Sequence, residues 1–153
     1  MIKAPSLQND YAFIFSGDPA LVLPEDPEQR KHALDVARET GNWQPLLGQG
    51  DPPTVFTLRP LKGSEYDWWA GECARQRLVN AEAAALVVRL ALVKVDNFGA
   101  HKVERVKVDG ISLAKVDIID AIYAEAGGAG RAVILEIADE VIDRATKAPR
   151  PKS

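Results

Sequence analysis

SEYDWWAGECARQRLVNAEAAALVVRLALVK, running from Ser64 to Lys94, is the stretch on which the fold turns. Val79, Ala83, Leu86, Leu90 and Val93 recur at three- and four-residue spacing, which predicts one face of a single long helix. Ser64, with Asp67 three residues on, has the chemistry of a helix start: a hydroxyl and a carboxylate can accept from the free N–H groups of the first turn. Arg75, Glu82 and Arg89 stand seven residues apart and form the persistent charged stripe, reduced to Arg89 between Ala83 and Val93. A helix apolar nearly all round is buried on several sides, so this one is expected to be the spine of the molecule. Asn97, Phe98 and Gly99 supply its expected stop. Gly71 costs about 1 kcal/mol relative to alanine and marks where such a helix would kink.

On the N-terminal side, Tyr11 to Phe15 is aromatic and β-prone and predicts a short strand, closed by the turn residues Ser16 to Pro19. Asp26 followed by Pro27 and, at the third position, Gln29 predicts a capped helix running to about Thr40 and closed by Gly41. Its apolar face, Ala33, Leu34 and Ala37, is thin, which places it on the surface. Val55 to Arg59 predicts a second strand, limited by Pro60. On the C-terminal side, Val103 to Val108, ended by Asp109–Gly110, reads as a third extended segment. Ser112 predicts the cap of a helix from Leu113 to about Glu125, with Val116, Ile119 and Ile122 inward and Ile118 nearby. The run Gly127 to Gly130 breaks it, and Arg131 to Thr146 forms a last helix striped by Val133 or Ile134, Ile137, Val141 and Ile142. The two helices make a hairpin. The fold class expected is α+β, predominantly helical: a long central helix, a C-terminal helical hairpin and a small two- or three-stranded sheet. The expected organisation is an N-terminal arm over residues 1–53, a main helical domain over 54–147 and a disordered tail over 148–153.

Composition narrows the classes of function. The chain has 153 residues, 46% hydrophobic and 27% charged, enough for one globular core. A net charge of −3 speaks against a general binder of nucleic acid or anionic membrane. Residues Ile111 to Asp143 could be read as a helix–turn–helix, but they hold two basic and seven acidic side chains and would repel phosphate. Neither a membrane span nor a signal peptide is expected, and the cytoplasm is the simplest compartment. His32, His101 and the single Cys73 fit no zinc spacing, so no metal, cofactor or catalytic role is expected of them. Gly127 to Gly130 precedes a helix but lacks the preceding strand and following lysine of a phosphate-binding loop, so it reads as a turn.

Tyr66, Trp68 and Trp69 form an aromatic cluster in the first turns of the long helix. Neighbouring residues point about 100° apart, so both indoles are not expected to enter one core. The plain reading packs both against the N-terminal arm. The sharper reading leaves one partly exposed as an anchor for a protein partner, since tryptophan dominates interface hot spots.

PTVFTLRPL at Pro53 to Leu61, a capped helix, VKVDNFG at Val93 to Gly99, an extended segment closed by Asp109–Gly110, a Ser-capped helix and RAVILEIADEVIDRATK follow one another in that order. This order resembles the small tail assembly chaperones of tailed bacteriophages over residues 53–153. The resemblance implies a non-enzymatic protein that binds the aggregation-prone tape measure protein and helps recruit tail tube subunits; the aromatic cluster Tyr66, Trp68 and Trp69 supplies the candidate partner-binding residues, and no cofactor is expected. It also implies the bacterial host cytoplasm, no membrane and no nucleic acid; an oligomer is compatible with it. The alternatives are a structural component of the virion (a baseplate, connector or tail accessory subunit) and, in another class, a small regulator or enzyme without a recognisable motif.

Overall fold

A computed structural model describes residues 9–147; the expected tail over 148–153 and the first eight residues lie outside the described part. The elements are β1 (Tyr11–Phe13), α1 (Pro27–Thr40), β2 (Val55–Leu58), α2 (Gly63–Gln76), α3 (Asn80–Ala91), β3 (Leu92–Asp96), β4 (Arg105–Val108), β5 (Ile111–Ala114), α4 (Val116–Ala126) and α5 (Gly130–Lys147). The fold is α+β and helix-rich. An antiparallel sheet in the order β1-β2-β3 is joined by a separate β4-β5 hairpin.

Period-two alternation sorts the sheet's side chains onto two faces. Tyr11, Phe13, Phe56 and Leu58 point into the main core, against Val87, Val88 and Ala91 of α3, Ile118, Ile119 and Ile122 of α4 and Ile134, Ile137 and Val141 of α5. Ala12, Ile14 and Val55 point the other way, into a smaller core with Leu34, Ala37 and Trp43. The sheet is therefore covered by α1 and its following loop on one side and by three helices on the other. Trp43 joins both tasks: its ring meets Phe13 edge-on at 6.3 Å, and its Nε1 donates to the Ala12 carbonyl at 3.1 Å. The segment before residue 54 is tied to α5 as well. Glu136 accepts from the Ser16 amide and hydroxyl, both at 2.7 Å, and pairs with Arg38 of α1. The Arg144 guanidinium lies 3.6 Å above the Tyr11 ring.

Local chemistry explains α1 fully. Asp26 accepts from the Gln29 amide at 3.0 Å, Pro27 opens the helix, and Gly41 at φ 72° closes it with a bond to the Ala37 carbonyl. Only Leu34 and Ala37 of α1 are buried, as its thin apolar face requires.

The single long helix expected from Ser64 to Lys94 is not formed. α2 ends at Gln76; Arg77 takes the left-handed conformation (φ 57°) and the Leu78 amide donates back to the Cys73 carbonyl. α3 starts at Asn80, itself at φ 52°. The break lies six residues beyond Gly71, where the kink was expected. It lets Trp69 fold back onto the new helix, donating from Nε1 to the Ala83 carbonyl at 2.9 Å. The far end is corrected too: Leu92 to Asp96 is a strand, because Val55, Phe56 and Thr57 pair with Asp96, Val95 and Lys94. Asn97 to Gly99 therefore turns a strand, not a helix, with Asn97 at φ 59° and Gly99 at φ 56°. The helix start shifts as well. Lys62 is the capping residue, and its amide donates to the Glu65 carboxylate at 2.9 Å; Ser64 is already helical.

The expected strand at Val103 to Val108 is realised as β4, but it pairs with β5 and not with the three-stranded sheet. Ser112 is correspondingly a strand residue, not a cap, and α4 begins at Val116, which stays exposed. One side chain pins this hairpin to the spine. Arg105 donates from Nε to the Ser112 hydroxyl at 3.0 Å, and from its two Nη atoms to the carbonyls of Leu92 (2.5 Å), Leu90 (3.1 Å) and Ser112 (2.9 Å). The expected helical hairpin is present as α4 and α5, joined by a 3-10 turn at Gly127–Ala129. Gly130 permits the tight crossing: a Cβ there would stand 2.8 Å from the Tyr123 Cα.

Candidate partner-binding groove

The break at Arg77 creates the groove that holds the sequence-derived aromatic cluster. α2 and α3 diverge from it, and the β4-β5 hairpin and the start of α4 close the other side. The resulting cleft has a volume of about 340 Å³. The buried Leu86, Leu113 and Ile119 line it together with Trp68, Leu78, Val108 and Val116. Two of its lining valines stand in solvent, Val116 49% exposed and Val108 42%. Isolated exposed valines need no explanation, but two that line one cleft beside Trp68 extend its apolar surface.

The charges around the cleft are mixed and mostly engaged. Arg75 and Gln76 both hydrogen-bond the Glu72 carboxylate, and they hold that carboxyl below its usual range. Arg89 donates from Nε to the Ala114 carbonyl at 2.8 Å, and burial pulls its guanidinium below the ordinary arginine value. Glu82 and Asp109 stand exposed on the rim.

The three aromatic residues separate into different roles. Trp69 is half-buried, bonded to α3 and packed on both the main core and the cluster of Leu86, Leu90 and Leu113. Tyr66 leans on it, ring centres 5.6 Å apart. Trp68 packs on the Leu86 cluster alone and lines the groove. The break at Arg77 brings α3 beside the indoles: Trp69 bonds to Ala83 and packs on the main core, and Trp68 packs on the Leu86 cluster.

The structure does not bring His32, His101 and Cys73 together. His32 is exposed on α1. His101 lies against the Phe98 ring and 3.2 Å from the Glu125 carboxylate. Cys73 is half-buried near Leu86 and Leu90, and burial, with Glu72 adding to it, pushes its thiol up and keeps it protonated at neutral pH. Among the described residues, no three His, Cys, Asp or Glu side chains are grouped so as to hold a metal, and no helix is long and apolar enough to cross a membrane. The sequence reading named Trp68 but missed the rest of the groove, whose lining comes from five elements, α2, α3, β4, β5 and α4.

Comparison with protein-family models, with curated proteins and with solved structures returned no match.

Proposed function

We propose that this chain is a non-enzymatic assembly chaperone of a tailed bacteriophage, holding an aggregation-prone helical client such as the tape measure protein in the host cytoplasm. The observation that carries the reading is the cleft lined by Trp68, Leu78, Leu86 and the exposed Val108 and Val116. An amphipathic client helix would lay its apolar face into such a cleft, with anchors at three- and four-residue spacing. The mixed, largely engaged charges of the rim suit a polypeptide better than a polyanion. The order of sequence pieces from Pro53 onward supports the phage setting.

The test is co-expression with a candidate tape measure protein. Its soluble fraction is expected to rise with the parent chain. Trp68→Ala, which empties the groove wall, should reduce that effect while leaving the fold intact by circular dichroism. Trp69→Ala should lower thermal stability, because it removes a half-buried ring packed on two apolar clusters and the bond to Ala83. A client equally soluble with Trp68→Ala would overturn the groove assignment. Retention of the chain in purified particles would favour a structural component of the virion over a transient chaperone.

A further inference from the structure

A second cavity, sharing no lining residue with the groove, lies where the turn after β1, the turn after β3 and the α4–α5 junction meet. Its volume is about 350 Å³. Three phenylalanine rings line it: Phe56, Phe98, 6.4 Å from it and tilted by 54°, and Phe15. Two carboxylates complete it, Asp18 and Glu125, and no lysine or arginine is among its lining residues.

The carboxylates are differently held. Asp18 is fixed by two backbone amides, Ala20 at 2.9 Å and Thr54 at 3.0 Å. Glu125 is exposed at the mouth, and its partner among the described residues is His101. The Phe15 wall depends on its neighbour. A Cβ on Gly17 would stand 2.6 Å from the Phe15 ring, so any larger residue there must push that ring away. The C-terminal end of α4 and the N-terminal end of α5 both reach the cavity, and their dipoles oppose each other. What remains is the negative ring faces and two carboxylates that no lysine or arginine of the lining neutralises.

We propose that this cavity receives the side chain of an arginine from a polypeptide partner. A guanidinium stacks on aromatic faces and forks onto a carboxylate, so one group uses both features of the site. Glu125 can exchange its exposed partner His101 for the guest, while Asp18 stays fixed by its amides. This inference is independent of the groove: either can fail without the other.

The probe is the capped tripeptide acetyl-Gly-Arg-Gly-amide, titrated into the ¹⁵N-labelled chain. Saturable shifts of the Gly17 and Thr54 amides are expected, with a dissociation constant on the order of 1 mM for so small a ligand. The citrulline analogue keeps the shape and loses the charge, and should bind about tenfold more weakly or not at all. Glu125→Gln and Phe98→Ala should each weaken the arginine peptide about threefold to tenfold. Gly17→Ala, which removes no lining group, should weaken it through the displaced Phe15 ring. An equal response to arginine and citrulline peptides, or shifts confined to residues around Trp68, would overturn the proposal. So would tetramethylammonium or a lysine peptide binding as tightly as the arginine peptide, which would assign the cavity to a compact ammonium group. The citrulline comparison uses the unaltered chain, so it stands even where a variant fails to fold.

Discussion

Replacing Arg105 by methionine should be among the most costly single changes outside the apolar core. The guanidinium binds one hydroxyl and three carbonyls, those of Leu90, Leu92 and Ser112, and Leu90 and Leu92 are fully buried. A hydrogen bond to a charged group contributes about 1.5–3 kcal/mol net, and an acceptor left unpaired in a buried place costs about 1–3 kcal/mol. The four bonds share one cation, so they do not add, and burial already opposes the charge, pulling the guanidinium below its usual value. Methionine keeps most of the apolar stem, so the expected loss of about 3 kcal/mol is that of the hydrogen bonds. A domain of this size has about 5–15 kcal/mol in all. In urea, with a slope of about 1.5–2 kcal/mol per molar, the midpoint should fall by about 1.5–2 M with the slope unchanged. Arg105→Lys keeps a charge without the planar fork and should recover about a third of the loss. Lys107→Met, on the exposed face of the same strand, should change stability by less than about 0.5 kcal/mol. A methionine variant within about 1 kcal/mol of the parent would refute the idea that Arg105 pins the hairpin to the spine. A lysine variant equal to the parent would show that charge, not the fork, is what counts.

Burial pushes the Glu65 carboxyl up, but Arg59 and the Lys62 amide outweigh it and hold it below its ordinary value of 4.5. Its contribution is therefore present above about pH 4.5 and lost as pH falls through the lower folded-state value; Glu65→Gln should cost about 1–3 kcal/mol at neutral pH and flatten the acid limb of stability against pH, and an unchanged acid limb would refute this. Arg77→Gly should raise stability by about 0.5–1 kcal/mol, read as a higher melting temperature, because glycine adopts φ 57° without the steric cost an L-residue bears; no gain would mean the side chain contributes something of its own. Leu90→Asp buries a charge in the cluster of Leu86, Leu90 and Leu113, where Leu90 is fully buried, and should cost several kcal/mol, more than Leu86→Asp, whose side chain lines the groove; melts of either within a few degrees of the parent would show that face to be solvated.

What could be read from the sequence depended on the range of the interaction that decided each element. α1 was legible to the residue, because Asp26, Pro27, Gln29 and Gly41 settle it among themselves. α5 and its stripe were legible from periodicity, and β2 from its β-branched and aromatic run. The stretch from Leu92 onward was not, since a short apolar run fits a buried helix and a buried strand equally well. The deciding partner, Val55 to Thr57, lies almost forty positions away. The break at Arg77 carries neither glycine nor proline, and the one local hint was Asn80, a residue that tolerates the left-handed region. Ser112 misled because a capping residue and a hairpin residue look alike until the pairing of Arg105 with Ala114 is known. For the groove, the tryptophan pair was a usable signal; its distribution of labour, Trp69 inward and Trp68 along the cleft, was set by that unreadable break.

α3 passes into β3 without a connecting residue, Ala91 ending one and Leu92 beginning the other. Helix and strand count their residues differently, about 100° per step against 180°. Adding or removing one residue anywhere between Asn80 and Asp96 would thus either swing Leu86 away from the groove or exchange the two faces of β3 against β2. No spacer exists to absorb the error. This run should therefore accept substitution but not change of length, and insertions should be tolerated instead at the exposed tips, Gly48 to Asp51 and Asp109–Gly110. A fluorescent or affinity tag placed at either tip should leave the molecule folded, whereas a single alanine inserted after Ala91 should abolish the cooperative melt.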